Sequence, residues 1–290
     1  LDSKALIDKI SQQETLNFLL TNYLPRRLAT QFIGWFSRIE NPIIKKSSIF
    51  LWKCFADDLK LHEAKKKDFN SLHDCFIREL KKDARTIDPD PKNIISPCDA
   101  ILGAHGKVEE KHAVQVKGFI YPIAELFRDD SLEKKYQEGY FLTLRLKSNM
   151  YHRFHAPCAL KVRHVQYISG DTWNVNPPAL KRIQKLFCKN ERAIIDVTLD
   201  DPDASITMVP VAAILVASLR LNFINNLLNM NYSGPTHINC DATFEKGQEM
   251  GYFHQGSTII LFANKKFKLK DSLKEGMCLK MGEPILVKSN

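Results

Sequence analysis

Short runs of β-branched and aromatic residues, divided by turn residues, fill the chain beyond residue 139. They read GYFLTLRL, LKVRHVQYI, RAIIDVTL, SITMVPVAAILVASL, STIILFA and EPILVK. This composition and spacing predict strands joined by turns, and hence a mostly antiparallel β domain with few helices. The sequence pattern changes from helical to β-rich at ARTIDPDPKNIISPCDA, residues 84–100, where Pro89 and Pro91 mark a linker. We therefore place a boundary near residue 85, between a helical region at 1–85 and a β-rich domain at 86–290.

The residues before this boundary show helical periodicity. A first helix is predicted across residues 24–40, because Pro25 suits a first helical turn and Pro42 a stop. Further helices are predicted across residues 47–61 and through DFNSLHDCFIREL at residues 68–80. The predicted fold class is α+β, with N-terminal amphipathic helices followed by a mostly antiparallel β domain.

Four bulky side chains form an apolar stripe on the first predicted helix: Leu28, Phe32, Trp35 and Phe36. Arginines flank this stripe. One interpretation is a surface helix packed on the core. The other is a helix that lies in the plane of a membrane, with cations beside its apolar face. The stripe alone leaves both interpretations open.

The net charge of the chain limits the classes of partner that are expected but does not select one class. A net charge of +9, from 42 Lys and Arg against 33 Asp and Glu, favours an anionic partner such as nucleic acid, a membrane surface or an acidic substrate. No RNA- or DNA-binding module is recognisable, so we do not expect nucleic acid. The apolar run MVPVAAILVASL, at residues 208–219, is too short to span a bilayer and is interpreted as a buried strand. No signal peptide is visible.

The seven cysteines are scattered and include no CxxC pair. This usage is typical of reduced thiols in a protein facing the cytosol, and does not indicate a disulfide framework. No spacing of His, Cys and acidic residues is typical of metal ligands, so we expect no metal site.

Four polar residues are candidates for chemistry. Asp99 lies in SPCDA, His152 and His155 lie in NMYHRFHAP, and Ser257 lies in QGST. Each alone is equally compatible with a structural role, because a Ser-His-Asp set is recognised by geometry and not by sequence position. The chain also lacks the G-x-S-x-G elbow of many serine hydrolases.

The neighbourhoods of these residues, taken in chain order, resemble the phosphatidylserine decarboxylase family of pyruvoyl-dependent proenzymes. The resemblance covers roughly residues 69–287, from FIREL followed by AR, through SPCDA, VKGFIYPIAELF, YHRFHAP, VNPPAL and LFCKNERAII, to KGQEMGYFHQGSTIILF. The segment LFCKNERAII resembles the family's N-E-R pattern, and KGQEMGYFHQGSTIILF resembles its K-G-x-E-x-G-x-F-x-x-G-S-T signature. The chain departs from the family by larger or different side chains at five places: Ala100, Leu160, Ala212, Ala217 and Gln255.

The resemblance implies that the chain cuts itself between Gly256 and Ser257. The hydroxyl of Ser257 attacks the Gly256 carbonyl, and Ser257 ends as a covalent pyruvoyl group at the start of a short chain, 257–290, that stays with the long chain, 1–256. His155 is the implied base, oriented by Asp99. The pyruvoyl ketone then forms a Schiff base with phosphatidylserine and yields phosphatidylethanolamine and CO2, with His152 supplying or positioning a proton.

The resemblance also favours the membrane interpretation of the first helix, because the implied substrate is a bilayer lipid. It implies a dimer of the cleaved heterodimer, bound peripherally to an anionic membrane surface at the cytoplasmic face of a bacterial inner membrane. Three alternatives remain: a pyruvoyl-dependent decarboxylase of another lipid or amino acid, a serine hydrolase that stays uncut, and an unprocessed membrane-bound protein that is not an enzyme.

Overall fold

The computed structural model describes residues 25–56, 58–116, 118–214, 218–254 and 257–289. Gly256, the predicted residue before the cut, lies outside these ranges, as do Gln255 and Ala217. All seven cysteines lie within them as free thiols.

The helices are concentrated before residue 80. They are α1 (Arg26–Phe36), α2 (Pro42–Phe55), a 3-10 turn (Leu61–Glu63) and α3 (Leu72–Phe76), followed later by the short helices α4 (Ile123–Phe127), α5 (Asp130–Tyr136), α6 (Pro177–Leu180) and α7 (Leu186–Lys189).

The second helix starts earlier than the sequence predicted. Pro42 does not stop a helix but opens α2, in which it is the first residue. The side chain of Asn41 accepts hydrogen bonds from the amides of Ile43 and Ile44, and a proline at this position needs no amide partner. Because Asn41 caps the helix, Pro42, which was predicted to end a helix, begins one instead.

The strands form four antiparallel sheets. They are β1 (Asn93–Ile95), β2 (Ala100–Lys107), β3 (His112–Val116), β4 (Phe119–Pro122), β5 (Tyr140–Leu146), β6 (Arg153–His155), β7 (Leu160–Ile168), β8 (Arg192–Thr198), β9 (Ile206–Ala212), β10 (Ser218–Leu221), β11 (Leu227–Asn229), β12 (His237–Phe244), β13 (Glu249–Phe253), β14 (Ser257–Ala263), β15 (Phe267–Leu269), β16 (Cys278–Leu279) and β17 (Pro284–Lys288). In the described residues the largest sheet has eight strands in the order β12-β7-β8-β9-β14-β5-β2-β16. A four-stranded sheet has the order β11-β10-β13-β6. The remaining sheets are β1-β17-β15 and β3-β4.

Strand β14 lies inside the large sheet, between β5 and β9, and every one of its residues is buried. Ile259 and Leu261 pack into one apolar cluster, and Ile260 and Phe262 pack into another. Side chains alternate between the two faces of a strand, so both faces of the sheet are covered here. This explains why STIILFA is continuously apolar and does not alternate.

The α+β prediction is confirmed: helices come first, and mostly antiparallel sheets follow. The predicted strand at residues 208–219 is two strands, because β9 ends at Ala212 and β10 begins at Ser218 in a different sheet. The division at residue 85 stays a prediction.

Candidate active site

Ser257 is the first residue of β14, and neighbouring strands flank it on both sides. It lies opposite Leu146 of β5 and Ala212 of β9. The residue is fully buried, and its hydroxyl has no hydrogen-bond partner among the described residues. A buried hydroxyl without a partner is costly, so its presence at the end of a central strand calls for a purpose.

His155 ends β6 and is held by three contacts. Its amide donates to the carbonyl of Pro97 at 2.8 Å, which joins the YHRFHAP and SPCDA segments. Its Nδ1 lies 2.9 Å from the carbonyl oxygen of Gly247, and its Nε2 lies 3.0 Å from the hydroxyl of Tyr151. A carbonyl can only accept, so Nδ1 carries the proton, and Nε2 accepts from Tyr151. Burial lowers the pKa of His155 below 6.5, which keeps the ring neutral.

His152 is completely buried and has the same tautomer as His155. Its Nδ1 donates to the carbonyl of Met150 at 2.8 Å, and its Nε2 has no partner among the described residues. Burial lowers the pKa of His152 to about 3. The ring packs 4.0 Å from the ring centre of Phe76, a residue of α3. His152 therefore presents a neutral nitrogen with a free lone pair.

Asp99 precedes β2 and binds an arginine, not a histidine. Its carboxylate accepts from both Nε and Nη2 of Arg85 and from the amide of Met281 at 2.9 Å. Arg85 also pairs with Glu63 at 2.9 Å. The predicted orientation of His155 by Asp99 thus differs from the structure, in which Gly247 and Tyr151 hold that ring.

The physical reason is that a planar guanidinium matches a carboxylate with two parallel hydrogen bonds, which a single imidazole N–H cannot do. A backbone carbonyl is sufficient to fix the tautomer of a histidine. Asp99 still contributes to the site electrostatically, because its charge and that of Glu249 oppose the lowering of the His155 pKa that burial causes.

Two residues that the sequence did not single out contact each other beside the predicted cut. Nδ1 of His254 lies 3.2 Å from Nε2 of His73, and the two rings stack with centres 4.7 Å apart. Burial lowers the pKa of His73 to about 4 and that of His254 to about 3, so both rings are neutral and one donates to the other. The contact joins α3 to the segment that precedes Ser257. No local signal could have found this pair, because 181 positions separate its members. Tyr151 and Arg85, by contrast, lie within motifs already quoted.

The apolar stripe of α1 divides between solvent and the protein. Leu28, Phe32 and Trp35 are 65%, 58% and 63% exposed. Phe36 is half-buried and faces a cavity between the helices and the large sheet. Helix α2 extends the exposed apolar surface with Ile43, Phe50 and Leu51.

Two further observations concern membranes and metals. The described helices are all too short or too polar to span a bilayer. Within the same ranges, no three His, Cys, Asp or Glu side chains come together as a metal-ion site would require.

Comparison with known proteins places the site in a family. The family described as phosphatidylserine decarboxylase matches residues 72–287. Similar relatives include the phosphatidylserine decarboxylase proenzyme of Histophilus somni (strain 129Pt), 32% identical over 91% of this chain and 92% of the relative. Those of Aliivibrio fischeri (strain MJ11) and Vibrio cholerae O395 are 30% and 31% identical, over 90% and 91% of this chain and 91% and 96% of their own lengths. The chain belongs to the phosphatidylserine decarboxylase family.

Proposed function

We propose that this chain is a phosphatidylserine decarboxylase that makes its own pyruvoyl group by cutting between Gly256 and Ser257. One observation carries the proposal: Ser257 opens the central strand with a buried hydroxyl that has no partner among the described residues. The carbonyl of His152 accepts from the amide of Phe253, four residues before Ser257, and the amide of His155 donates to the carbonyl of Pro97, two residues before Asp99. Ser257 is fixed by its pairing with Leu146 and Ala212, which favours reaction at one position only.

The cut follows from nucleophile and base chemistry. His155 accepts the proton of the Ser257 hydroxyl, which attacks the Gly256 carbonyl carbon; the C–N bond breaks and an ester forms. Loss of the Ser257 α-proton then expels the Gly256 carboxylate. The remaining dehydroalanine takes up water and releases ammonia, which leaves a ketone at position 257. In the uncut protein Tyr151 donates to Nε2 of His155, so this hydroxyl either relays the proton or moves aside.

The lipid reaction uses the product of that cut. The pyruvoyl ketone supplies the electron sink that a decarboxylation needs. His152 is suited to move the proton that replaces the carboxylate, because its Nε2 lone pair is free and its Nδ1 is fixed by the Met150 carbonyl. The buried, apolar surroundings of His152 keep water away, which favours loss of a charged carboxylate.

The two products of the cut are expected to stay together. The short chain, 257–290, contributes β14 to the interior of the large sheet and the Met281 amide to Asp99. Separating the chains would expose a strand that is buried on both faces. We propose a dimer of this heterodimer as the assembly.

Intact-mass measurement under denaturing conditions tests the self-cleavage. Wild-type protein is expected to give two chains, the smaller starting at position 257 without a free amine. Ser257→Ala is expected to give one chain of 33.3 kDa. Cleaved protein is then given phosphatidylserine and, in parallel, free serine. Conversion of the lipid alone supports the proposed substrate, and a single uncut wild-type chain would refute the maturation scheme.

We further propose that α1 and α2 bind the surface of an anionic membrane at the cytoplasmic face of a bacterial inner membrane. Leu28, Phe32 and Trp35 project from α1 into solvent, and Ile43 and Phe50 project from α2. Exposed aromatic and aliphatic residues on a helix favour insertion at the lipid interface. The excess positive charge of the chain adds attraction to anionic lipid.

Flotation with anionic liposomes tests this surface. Phe32→Ser with Trp35→Ser is expected to remove most of the bound fraction, because each residue contributes roughly 1.5–3 kcal/mol when its apolar surface leaves water. Ile120→Ser is the matched control, since Ile120 is 57% exposed but lies on β4. Equal flotation of the two variants would exclude α1 as the contact.

A further inference from the structure

A cavity of about 890 Å³ separates α1 and α2 from the large sheet. Its apolar lining includes Ile33, Phe36, Ile44, Trp52, Leu146 and Ala213. A volume of this size lies within the range of pockets that hold small molecules. The helices that form one wall are the ones with the exposed apolar surface, so the cavity lies behind the proposed membrane contact.

The guanidinium of one residue in this cavity has no partner among the described residues. Arg145 of β5 lines the cavity and is half-buried. Its guanidinium makes no hydrogen bond, ion pair or ring contact with any residue in the described part of the chain. Burial alone lowers its pKa, and no charge of either sign contributes. An arginine remains charged under these conditions, so a half-buried guanidinium lies against apolar surface with no counter-charge from the described residues.

Three other arginines with buried or partly buried side chains have hydrogen-bond acceptors, unlike Arg145. Arg78 donates to the carbonyls of Leu59 and Cys75. Arg153 pairs with the Glu249 carboxylate at 2.7 Å. Arg192 donates to backbone carbonyls that include those of Leu126 and Cys188. The fold therefore gives each of these other guanidinium groups at least one acceptor, and Arg145 is left for a ligand.

The cavity reaches the residue that is proposed to react. Arg145 lies opposite Thr258, and Leu146, which lines the cavity, lies opposite Ser257. On the other side Ser257 faces Ala212, whose neighbour Ala213 is also in the lining. Opposite residues on antiparallel strands have Cβ atoms about 5 Å apart. Because side chains alternate along a strand, Leu146 lies on the face of Ser257 and Arg145 on the face of Thr258, so the cavity is lined by one side chain from each face next to position 257.

We propose that Arg145 binds the phosphodiester of the phospholipid substrate, and that the glycerol and the adjoining acyl segments fill the apolar cavity. This inference rests on the proposed function. A phosphodiester carries one negative charge and offers two oxygens to a planar guanidinium. In a serine phospholipid only an oxygen and a methylene group separate the phosphorus from the carbon that bears the amine and the carboxylate. With the phosphate on Arg145, opposite Thr258, the head group extends past the end of β5 to bring the reacting carbon to position 257, one residue before Thr258.

Steady-state kinetics of Arg145→Gln test the assignment. Self-cleavage is measured first by intact mass, and completion shows that the variant folds. With phosphatidylserine in detergent micelles, KM is expected to rise about 10- to 100-fold, with less than about a threefold change in kcat, because a charge-assisted contact to a part of the substrate that does not react is lost. Arg163→Gln is the control, since Arg163 is exposed and paired with Asp241. It lies on β7, which β8, β9 and β14 separate from β5. An unchanged KM would overturn the proposal.

A binding measurement separates this inference from the decarboxylase proposal. Uncut Ser257→Ala protein, with and without Arg145→Gln, is titrated with micelles that contain phosphatidylglycerol or diacylglycerol, and separately with inorganic phosphate. We expect at least tenfold tighter binding of phosphatidylglycerol than of diacylglycerol, and loss of that preference with Arg145→Gln. Preference retained without Arg145 refutes the site whether or not the wild type decarboxylates lipid. Binding of inorganic phosphate as tight as that of the phospholipid would assign Arg145 to a free anion and refute the lipid as its ligand.

Discussion

Replacing His155 by Gln is expected to slow self-cleavage by about 10²- to 10⁴-fold, the range that a positioned general base contributes. The imidazole is neutral, and its Nδ1 proton is committed to the Gly247 carbonyl, so Nε2 is its basic nitrogen, which accepts from Tyr151 in the uncut protein. A glutamine fills a similar space and keeps a donor for Gly247, but its carbonyl oxygen is a far weaker base. The fraction of uncut chain, followed by intact mass over time, measures the effect.

The matched control for this substitution is His105→Gln. His105 lies on β2, and its Nδ1 lies 3.0 Å from a backbone carbonyl, that of Gly103, as His155 lies near Gly247. It has no contact with Ser257 in the pairing of the strands. Slowing by both variants to the same extent would show that the effect is one of folding, and would remove His155 from the mechanism.

The pH dependence of self-cleavage provides a signature that a structural role would not produce. The base form of His155 is the neutral ring, and burial lowers the pKa of that ring below 6.5. As pH falls from 8 through 6.5, the neutral fraction therefore stays high, and the rate is expected to remain constant. It should decline only at a pH below 6.5. A rate that is already halved at or above pH 6.5 would contradict the buried, neutral base.

Local composition explains why much of the fold could be predicted from the sequence. STIILFA and LKVRHVQYI correspond to β14 and β7 residue for residue, because each is bounded by turns and rich in β-formers. The prediction of a single strand at residues 205–219 was wrong because the two halves of this run pair in different sheets. The pairing depends on strands distant in sequence, which the run itself does not reveal. Likewise, Pro42 opens a helix because Asn41 caps it, which a rule for proline alone misses.

The site was less predictable, because its contacts depend on long-range geometry. Motif order identified Asp99, His152, His155 and Ser257, but not which of them touch. The carboxylate of Asp99 could bind His155 or Arg85 on sequence grounds, and only the fold shows that Arg85 takes both oxygens. The unpaired Arg145 had no sequence signal at all, since a missing partner can be seen only when the neighbours are placed.

Removing the carboxylate of Asp99 is expected to lower the free energy of unfolding by about 3 kcal/mol, the low end of the cost of breaking a buried ion pair, because Glu63 stays beside Arg85. Asp99→Ala leaves the Arg85 guanidinium, whose side chain is 4% exposed, with Glu63 as its remaining charged partner. The Met281 amide also loses its acceptor. Urea unfolding in a Ser257→Ala background measures the loss, because every variant is then a single covalent chain.

A control variant and a double-mutant cycle show whether the loss of stability comes from the ion pair between Asp99 and Arg85. Glu138→Ala removes an ion pair with Lys265 at 2.8 Å, but these side chains are 66% and 72% exposed, so the expected loss is much smaller than that of Asp99→Ala. Arg85→Met combined with Asp99→Leu replaces both charges by apolar groups. It is expected to cost less than the two single changes added together, since neither the guanidinium nor the Asp99 carboxylate is left without the other, while Glu63 loses its partner equally in Arg85→Met and in the double variant. Strict additivity would show that Asp99 and Arg85 stabilise the fold independently. Asp99 would then act through the Met281 amide, the contact that joins the segment before β2 to the C-terminal segment across the proposed cut.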